Sequence, residues 1–174
     1  MWFATARPKT LPLALATILT GSALAYRSGH FSWTVTLLCL LTATLLQVLS
    51  NFANDYGDHQ KGSDTAERIG PLRAIQKGAI SAQQLKNALV ILVILSLLSG
   101  GLLIASAYQT LNDLAAFAVL GVLAIISAIT YTVGSKPYGY MGLGDVSVFI
   151  FFGLLAVGGT YYLQAHSLHW AICL

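Results

Sequence analysis

Long apolar segments, separated by polar connections, occupy most of this 174-residue chain. A transmembrane helix needs roughly 20 predominantly apolar residues to cross about 30 Å of hydrocarbon. The first of these segments is short and has Pro12 near its start, where a helix tolerates proline. The pattern predicts an all-α fold, a polytopic transmembrane helical bundle with five spans, at about 11–26, 31–50, 85–108, 113–133 and 146–164.

The connections between the predicted spans differ in length. Residues 27–30 and 109–112 are short links, which force neighbouring helices to pack antiparallel. The links after the second and fourth spans are longer, as functional loops often are. A further apolar stretch begins at Leu168 and predicts the start of a sixth span. We therefore expect a single transmembrane domain over 1–174 that is incomplete at its C-terminus.

Composition supports a membrane protein, because 56% of the residues are hydrophobic and 9% are charged. If the spans alternate in direction, eight of the nine lysines and arginines lie on one side of the membrane, and Arg27 lies on the other. This asymmetry predicts a cytoplasmic N-terminus. The expected surroundings are a lipid bilayer, and we expect no nucleic-acid partner.

The main charged stretch, residues 51–78, follows the second span. On a helix with 100° per residue, five polar side chains around the end of that span fall within an arc of about 100°. Lipid exposure of such a stripe is costly, so it should face the interior of the bundle. Interhelical hydrogen bonds and a solvated helix end would explain the same pattern. The stripe consists of Gln47, Asn51, Asn54, Asp55 and Asp58.

Asp55 and Asp58 are spaced i, i+3, with Asn54 one turn before Asp58. Mg²⁺ favours one or two carboxylates together with water and phosphate oxygens. These residues are therefore candidate Mg²⁺ ligands that would act together with a diphosphate.

The basic residues downstream suit the other half of such a site. Arg73 and Lys77 are spaced i, i+4 and Arg68 precedes them, while Lys136 lies in the second long loop. Arginine can bind a diphosphate through two hydrogen bonds, and lysine adds a point charge. The same basic residues could instead serve only to keep these loops on the cytoplasmic side, as the positive-inside rule describes, and would then bind no ligand.

Several stretches of the chain together resemble the UbiA-type membrane prenyltransferases, and in particular their dihydroxynaphthoate-specific branch in menaquinone biosynthesis. The resemblance covers essentially the whole sequence. The stretches are A-R-P-K-T-L-P (6–12), Q-V-L-S-N-F-A-N-D-Y-G-D (47–58), K-G-S-D (61–64), R-I-G-P-L-R (68–73), Q-K-G-A-I (76–80), Y-T-V-G-S-K-P-Y-G-Y (131–140), G-L-G-D (142–145) and V-F-I-F-F-G (148–153).

The resemblance implies site residues. Asn54, Asp55 and Asp58 match the first aspartate-rich motif, which binds Mg²⁺ with the prenyl diphosphate, and Arg73 matches the arginine of the following loop. The family pattern N-D-x-x-D-x-x-x-D would place its last aspartate at position 62, where this chain has Gly62. Asp64, two residues later, is a less secure metal ligand. Asn51, Arg68, Lys77 and Lys136 remain candidate substrate contacts.

The resemblance also implies a reaction and a location. Family members of this branch use Mg²⁺ to transfer a polyprenyl group from polyprenyl diphosphate to 1,4-dihydroxy-2-naphthoate, with loss of CO₂, in the bacterial inner membrane. They have nine helices and a second aspartate-rich motif, which does not occur in these 174 residues. We therefore expect the isolated chain to be inactive.

Three other functions fit parts of the pattern. Another UbiA-type aromatic prenyltransferase would share the acidic motif. The CDP-alcohol phosphatidyltransferases also pair aspartates with Mg²⁺ but need a D-G-x-x-A-R run, which is not present here. A cation carrier would place its charges near the bilayer midplane, whereas Asp55 and Asp58 follow the end of a span.

The predicted orientation can be tested by cysteine labelling of intact cells in a background without native cysteines. A membrane-impermeant maleimide should label cysteines placed at Gly29 and Gln109, and should not label one at Gly62, because the basic residues hold that side in the cytoplasm. Labelling at Gly62 in intact cells would reverse the orientation.

Overall fold

A computed structural model describes residues 1–62 and 73–168 of the chain. Within those ranges the regular structure is helical. A short helix, α1 (Trp2–Ala6), leads through a 3₁₀ turn (Pro8–Thr10) into α2 (Leu11–Arg27). The remaining helices are α3 (Trp33–Lys61), α4 (Ala82–Ala107), α5 (Leu111–Thr130) and α6 (Gly144–Ala165), with a second 3₁₀ turn at Tyr138–Met141. The predicted all-α polytopic bundle is confirmed.

Four of these helices, α3 to α6, are long and apolar enough to cross a membrane. α2 is apolar but has 17 residues, and Pro12 occupies its first turn. In α5, all of whose residues the structure describes, only Ala124 is buried. Such apolar exposure is stable in lipid, where a helix satisfies its own backbone hydrogen bonds. The molecule is therefore a multi-pass membrane protein.

Local sequence explains where the helices begin and end. Ser81 and Thr110 each cap a helix, forming capping boxes with Gln84 and Asp113. The acidic helix α3 continues beyond the predicted span at 31–50 and ends at Lys61, where Gly62 adopts a left-handed conformation with φ of 64°. Its last three turns therefore extend the transmembrane helix and place the acidic residues at its end.

Two apolar clusters position the elements around that end. One lies between α2, α3, α4 and α6 and includes Ile18, Val35 and Leu103. The other packs Ile75 and Ile80, from the segment before α4, against Phe52 of α3 and Leu85 of α4. The second cluster fixes the chain immediately after Arg73 onto the acidic end of α3.

α6 is not a regular α-helix throughout. Residues Phe149–Gly159 form a π-helical stretch between two α-helical ends. This stretch packs closely on α2. A Cβ added at Gly21 of α2 would lie only 2.5 Å from the carbonyl oxygen of Val157. Small residues at such contacts let helix backbones approach each other in membranes.

Gly57 of α3 makes a similar close contact with the segment after α5. A Cβ there would lie 2.5 Å from the carbonyl oxygen of Thr132, whereas nothing lies within 4 Å of one added at Gly101.

We expect Gly57→Ala to lower the free energy of unfolding by about 1–3 kcal/mol, the usual cost of overpacking. Gly101→Ala is the matched control and should not destabilise the protein, since alanine favours a helix interior. Reversible unfolding in mixed detergent measures both. Equal stabilities for the two variants would contradict the packing described here.

Candidate diphosphate and metal site

The acidic end of α3 brings two carboxylates to the inside of the bundle. Asp55 is 3% exposed, as is Asn51 one turn earlier. The side chain of Asp58, at i+3 from Asp55, is 16% exposed. A buried carboxylate is costly unless it is paired, so Asp55 needs positive charge beside it for the fold to be stable.

Arg73 bridges the two carboxylates. Its Nη1 lies 3.3 Å from Asp55 Oδ1, and its Nη2 lies 2.5 Å from Asp58 Oδ2. The same Nη1 donates a hydrogen bond to the carbonyl oxygen of Asn54 at 3.1 Å. The backbone N–H of Arg73 donates to Gln76 Oε1 at 2.7 Å, which helps to hold the residue above the cluster of Ile75 and Ile80. Both aspartates therefore converge on one cationic group.

Arg7 is the second cation at Asp55. It forms an ion pair with Asp55 Oδ1 and adopts a left-handed backbone conformation, with φ of 49°, between α1 and the turn at Pro8–Thr10. Trp2 of α1 stacks on Phe52 of α3, with ring centroids 5.9 Å apart, and thereby fixes α1 on the acidic helix. A left-handed non-glycine residue is uncommon and tends to occur at functional sites.

The segment after α5 contacts Oδ1 of Asp58, whose Oδ2 pairs with Arg73. The Tyr140 hydroxyl donates a hydrogen bond to Asp58 Oδ1, and Lys61 Nζ lies 4.4 Å from the centre of the Tyr140 ring. Thr132 donates its hydroxyl hydrogen to Asn54 Oδ1 at 3.1 Å. The two long loops predicted to share one side of the membrane therefore meet at the end of α3.

The donor set fits Mg²⁺ held jointly with a phosphate ligand. Asp55 and Asp58 already converge on a positive charge, the guanidinium of Arg73. Within residues 1–62 and 73–168, no group of three or more His, Cys, Asp and Glu side chains could hold an ion alone. Mg²⁺ does not need such a group, because it keeps waters and takes oxygens from its substrate.

The other predicted site residues are more dispersed. Lys77 and Lys136 are both exposed, on the segment before α4 and on the loop after α5 respectively. Asp64 and Arg68 lie outside the described residues.

A network of hydrogen bonds ties the polar stripe of α3 to the N-terminal segment. Asn51 Nδ2 donates to the carbonyl oxygen of Ala6 at 2.8 Å and to Thr10 Oγ1 at 2.9 Å. Gln47 Nε2 donates to the same Thr10 oxygen at 3.3 Å. These are hydrogen bonds of the kind that the alternative interpretation of the stripe expects for Gln47 and Asn51, and the substrate contact of Asn51 stays a prediction.

A cavity of about 580 Å³ begins at this network and runs into the bundle. Its polar end includes Gln47, Asn51 and Asn54, and its deeper wall is mainly apolar and includes side chains of α2, α4, α5 and α6. Binding cavities for small molecules are commonly of this size. The arrangement suits an amphipathic ligand whose charged group lies near Asp55 and whose apolar part enters the bundle.

Sequence reasoning missed three contacts at this site. Arg7 was counted as a topological charge, Thr132 fell within the predicted fourth span, and Tyr140 was seen only as part of a loop. Arg7 lies 48 residues before Asp55 and Tyr140 lies 82 residues after Asp58. The A-R-P-K-T and K-P-Y-G-Y stretches, which carry part of the family resemblance, marked the right segments without indicating the partners.

Several curated proteins are similar to this chain over nearly all of its length. The 1,4-dihydroxy-2-naphthoate octaprenyltransferase of Haemophilus influenzae is 71% identical over 170 residues, covering 97% of this chain and 55% of the relative. The protein of the same name from Escherichia coli is 60% identical, covering 96% of this chain and 54% of the relative. That from Mycobacterium tuberculosis is 38% identical, covering 97% and 56%.

The chain thus spans about half the length of the curated relatives that it matches. No solved structure matches it significantly. The model of the UbiA prenyltransferase family matches residues 14–174, a region that contains the acidic end of α3, the Arg73 segment and the loop bearing Tyr140. The chain belongs to the UbiA prenyltransferase family.

Proposed function

We propose that this chain binds Mg²⁺ and a polyprenyl diphosphate for transfer of the polyprenyl group to 1,4-dihydroxy-2-naphthoate. The product of the transfer, with loss of CO₂, keeps both ring hydroxyl groups and is the reduced form of demethylmenaquinone, the quinone itself forming only on a later two-electron oxidation outside this reaction. The observation that carries the proposal is the convergence of Asp55 and Asp58 on one guanidinium beside a largely apolar cavity. The names of the three relatives above support the choice of substrates.

The polar residues of the site could balance the negative charge that develops on a departing diphosphate. Asp55 and Asp58, with Asn54, would hold the metal, which when bound supplies positive charge to the leaving group. Asp64 is a further, less secure ligand. The guanidinium of Arg73, which pairs with both aspartates in this structure, is a planar fork that could bind two diphosphate oxygens together once the metal occupies the carboxylates. Lys77, on the segment before α4, and Lys136, on the loop after α5, would add positive charge, and Arg68 remains a candidate contact by its charge alone.

The cavity supports the other half of the reaction. The allylic C–O bond breaks with its electron pair leaving on the diphosphate, and the ring carbon that bears the carboxylate forms the new C–C bond. The bond to the carboxylate then breaks, its electron pair returns to the ring, and CO₂ departs. Apolar walls around this centre hold the isoprenoid and keep water from the cation.

We further propose that the site faces the cytoplasm in a bacterial inner membrane. The N-terminal segment, the end of α3, the segment at Arg73 and the loop bearing Tyr140 meet at one end of the bundle. This end carries most of the basic residues, as a cytoplasmic face does. A soluble aromatic acid would reach the site from that side, and the lipid substrate would reach it through the bilayer.

The aspartates should be essential for Mg²⁺-dependent binding of a prenyl diphosphate. We expect Asp55→Ala and Asp58→Ala each to abolish binding of geranyl diphosphate by the chain in lipid nanodiscs, because the metal loses a charged ligand. The same changes should abolish prenyl transfer by the gene product that contains this sequence, whereas Asp64→Ala should have less effect. Asp113→Ala, at the opposite end of the bundle, is the control. Wild-type binding by Asp55→Ala in the presence of Mg²⁺ would remove the motif from the mechanism.

Arg73→Lys separates diphosphate binding from membrane topology. Either residue satisfies the positive-inside rule, but lysine cannot form both hydrogen bonds of the guanidinium fork. In the gene product that contains this sequence, we expect normal insertion and at least about a tenfold loss in kcat/KM for prenyl diphosphate, which corresponds to roughly 1.4 kcal/mol. Arg27→Lys, on the opposite side of the membrane, should change neither property. Unchanged kinetics in Arg73→Lys would leave Arg73 with a topological role alone.

A further inference from the structure

The cavity has a charged group that the diphosphate site does not use. Among the described residues that line the cavity, Lys9 is the single one with a formal charge. The two arginines nearby contact the aspartates: Arg7 pairs with Asp55, and Arg73 bridges Asp55 and Asp58. The positively charged residue that lines the cavity, Lys9, is therefore not one of the arginines that pair with the aspartates.

The local structure fixes the backbone at Lys9 and leaves its side chain exposed. Lys9 lies in the 3₁₀ turn Pro8–Thr10. Thr10 accepts hydrogen bonds from Asn51 and Gln47, and its own hydroxyl donates to the carbonyl oxygen of Arg7 at 2.9 Å. The turn is thus tied to α3 on both sides of Lys9, while the ammonium group can meet a ligand at the polar end of the cavity.

Two tyrosine rings line the same cavity. Tyr131 and Tyr138 pack edge to face, with centroids 5.2 Å apart and planes at 85°. The Tyr138 hydroxyl donates to the carbonyl oxygen of Ser127 at 2.9 Å and lies 3.1 Å from the Ser147 hydroxyl, so this ring is held in place. Fixed aromatic rings provide a surface on which another aromatic ring packs favourably.

We propose that Lys9 pairs with the carboxylate of the aromatic co-substrate, whose rings pack against Tyr131 and Tyr138. This inference rests on the function proposed above and adds a residue that determines specificity for an aromatic acid. Arg7 and Arg73 are paired with the aspartates, whereas Lys9 lines the cavity, where its ammonium can act as a point charge toward a single carboxylate. A site that pairs with one substrate group discriminates against analogues that lack it, because its own polar group is then left unpaired.

The test compares two ligands of nearly the same shape, 1-hydroxy-2-naphthoate and its neutral amide, by fluorescence titration of the chain in nanodiscs. We expect the wild type to prefer the acid and Lys9→Gln to lose at least about tenfold in affinity for the acid, with the amide unchanged. Lys9→Arg should keep the preference, since it keeps the charge. Lys86→Gln, an exposed lysine of α4, is the matched control and should leave both affinities unchanged.

Three results would overturn the assignment. The first is equal affinity of the wild type for the acid and the amide, and the second is a full preference for the acid in Lys9→Gln. The third is an equal loss of affinity for both ligands in Lys9→Gln, which would indicate altered structure. Mg²⁺-dependent binding of geranyl diphosphate is measured on the same samples and should not change in Lys9→Gln. If the wild type fails to bind geranyl diphosphate, the proposed function fails, whereas the preference for the acid still tests Lys9 separately.

Discussion

The site depends on compensating one buried carboxylate. Asp55 lies within the bundle at 3% exposure, and a charge there is stable only with close partners of opposite sign. Arg7 and Arg73 supply them from two segments that are distant in sequence. The N-terminal segment and the segment before α4 are therefore held at the end of α3 by the same group that would hold the metal. Under the proposed function, stability and ligand binding depend on the same residues, so changes at Asp55 should act on both.

The cavity next to this site is polar at one end and apolar over the remainder of its lining. Amide side chains of α3 lie at one end, next to the acidic residues, and apolar side chains line the remainder. The amides hydrogen-bond to the turn at Pro8–Thr10, so the polar end is built from fixed groups. An amphipathic substrate would be oriented by this difference in polarity, with its charged end near the arginines and its chain among the helices.

Sequence periodicity predicted what lies on one helix and missed what connects helices. The five apolar segments and the stripe from Gln47 to Asp58 follow from 3.6-residue periodicity and the cost of polar groups in lipid, and the structure has the corresponding helices. Arg73 was placed at the site by its charge and by family resemblance. The roles of Arg7 and Tyr140 could not be predicted, because their contacts depend on how distant segments pack. The metal and substrate roles of the residues remain proposals.

The order of Asp55 and its partners along the chain has a consequence for biosynthesis. Arg7 precedes Asp55 by 48 residues, whereas Arg73 follows it. A chain is made from its N-terminus, and early segments can pack before later ones are complete. Once α2 and α3 have inserted as a hairpin, Arg7 can neutralise Asp55 before the ribosome has delivered Arg73. The nascent hairpin of α2 and α3, with the N-terminal segment, thus contains a charge partner for Asp55 that does not depend on the segment bearing Arg73.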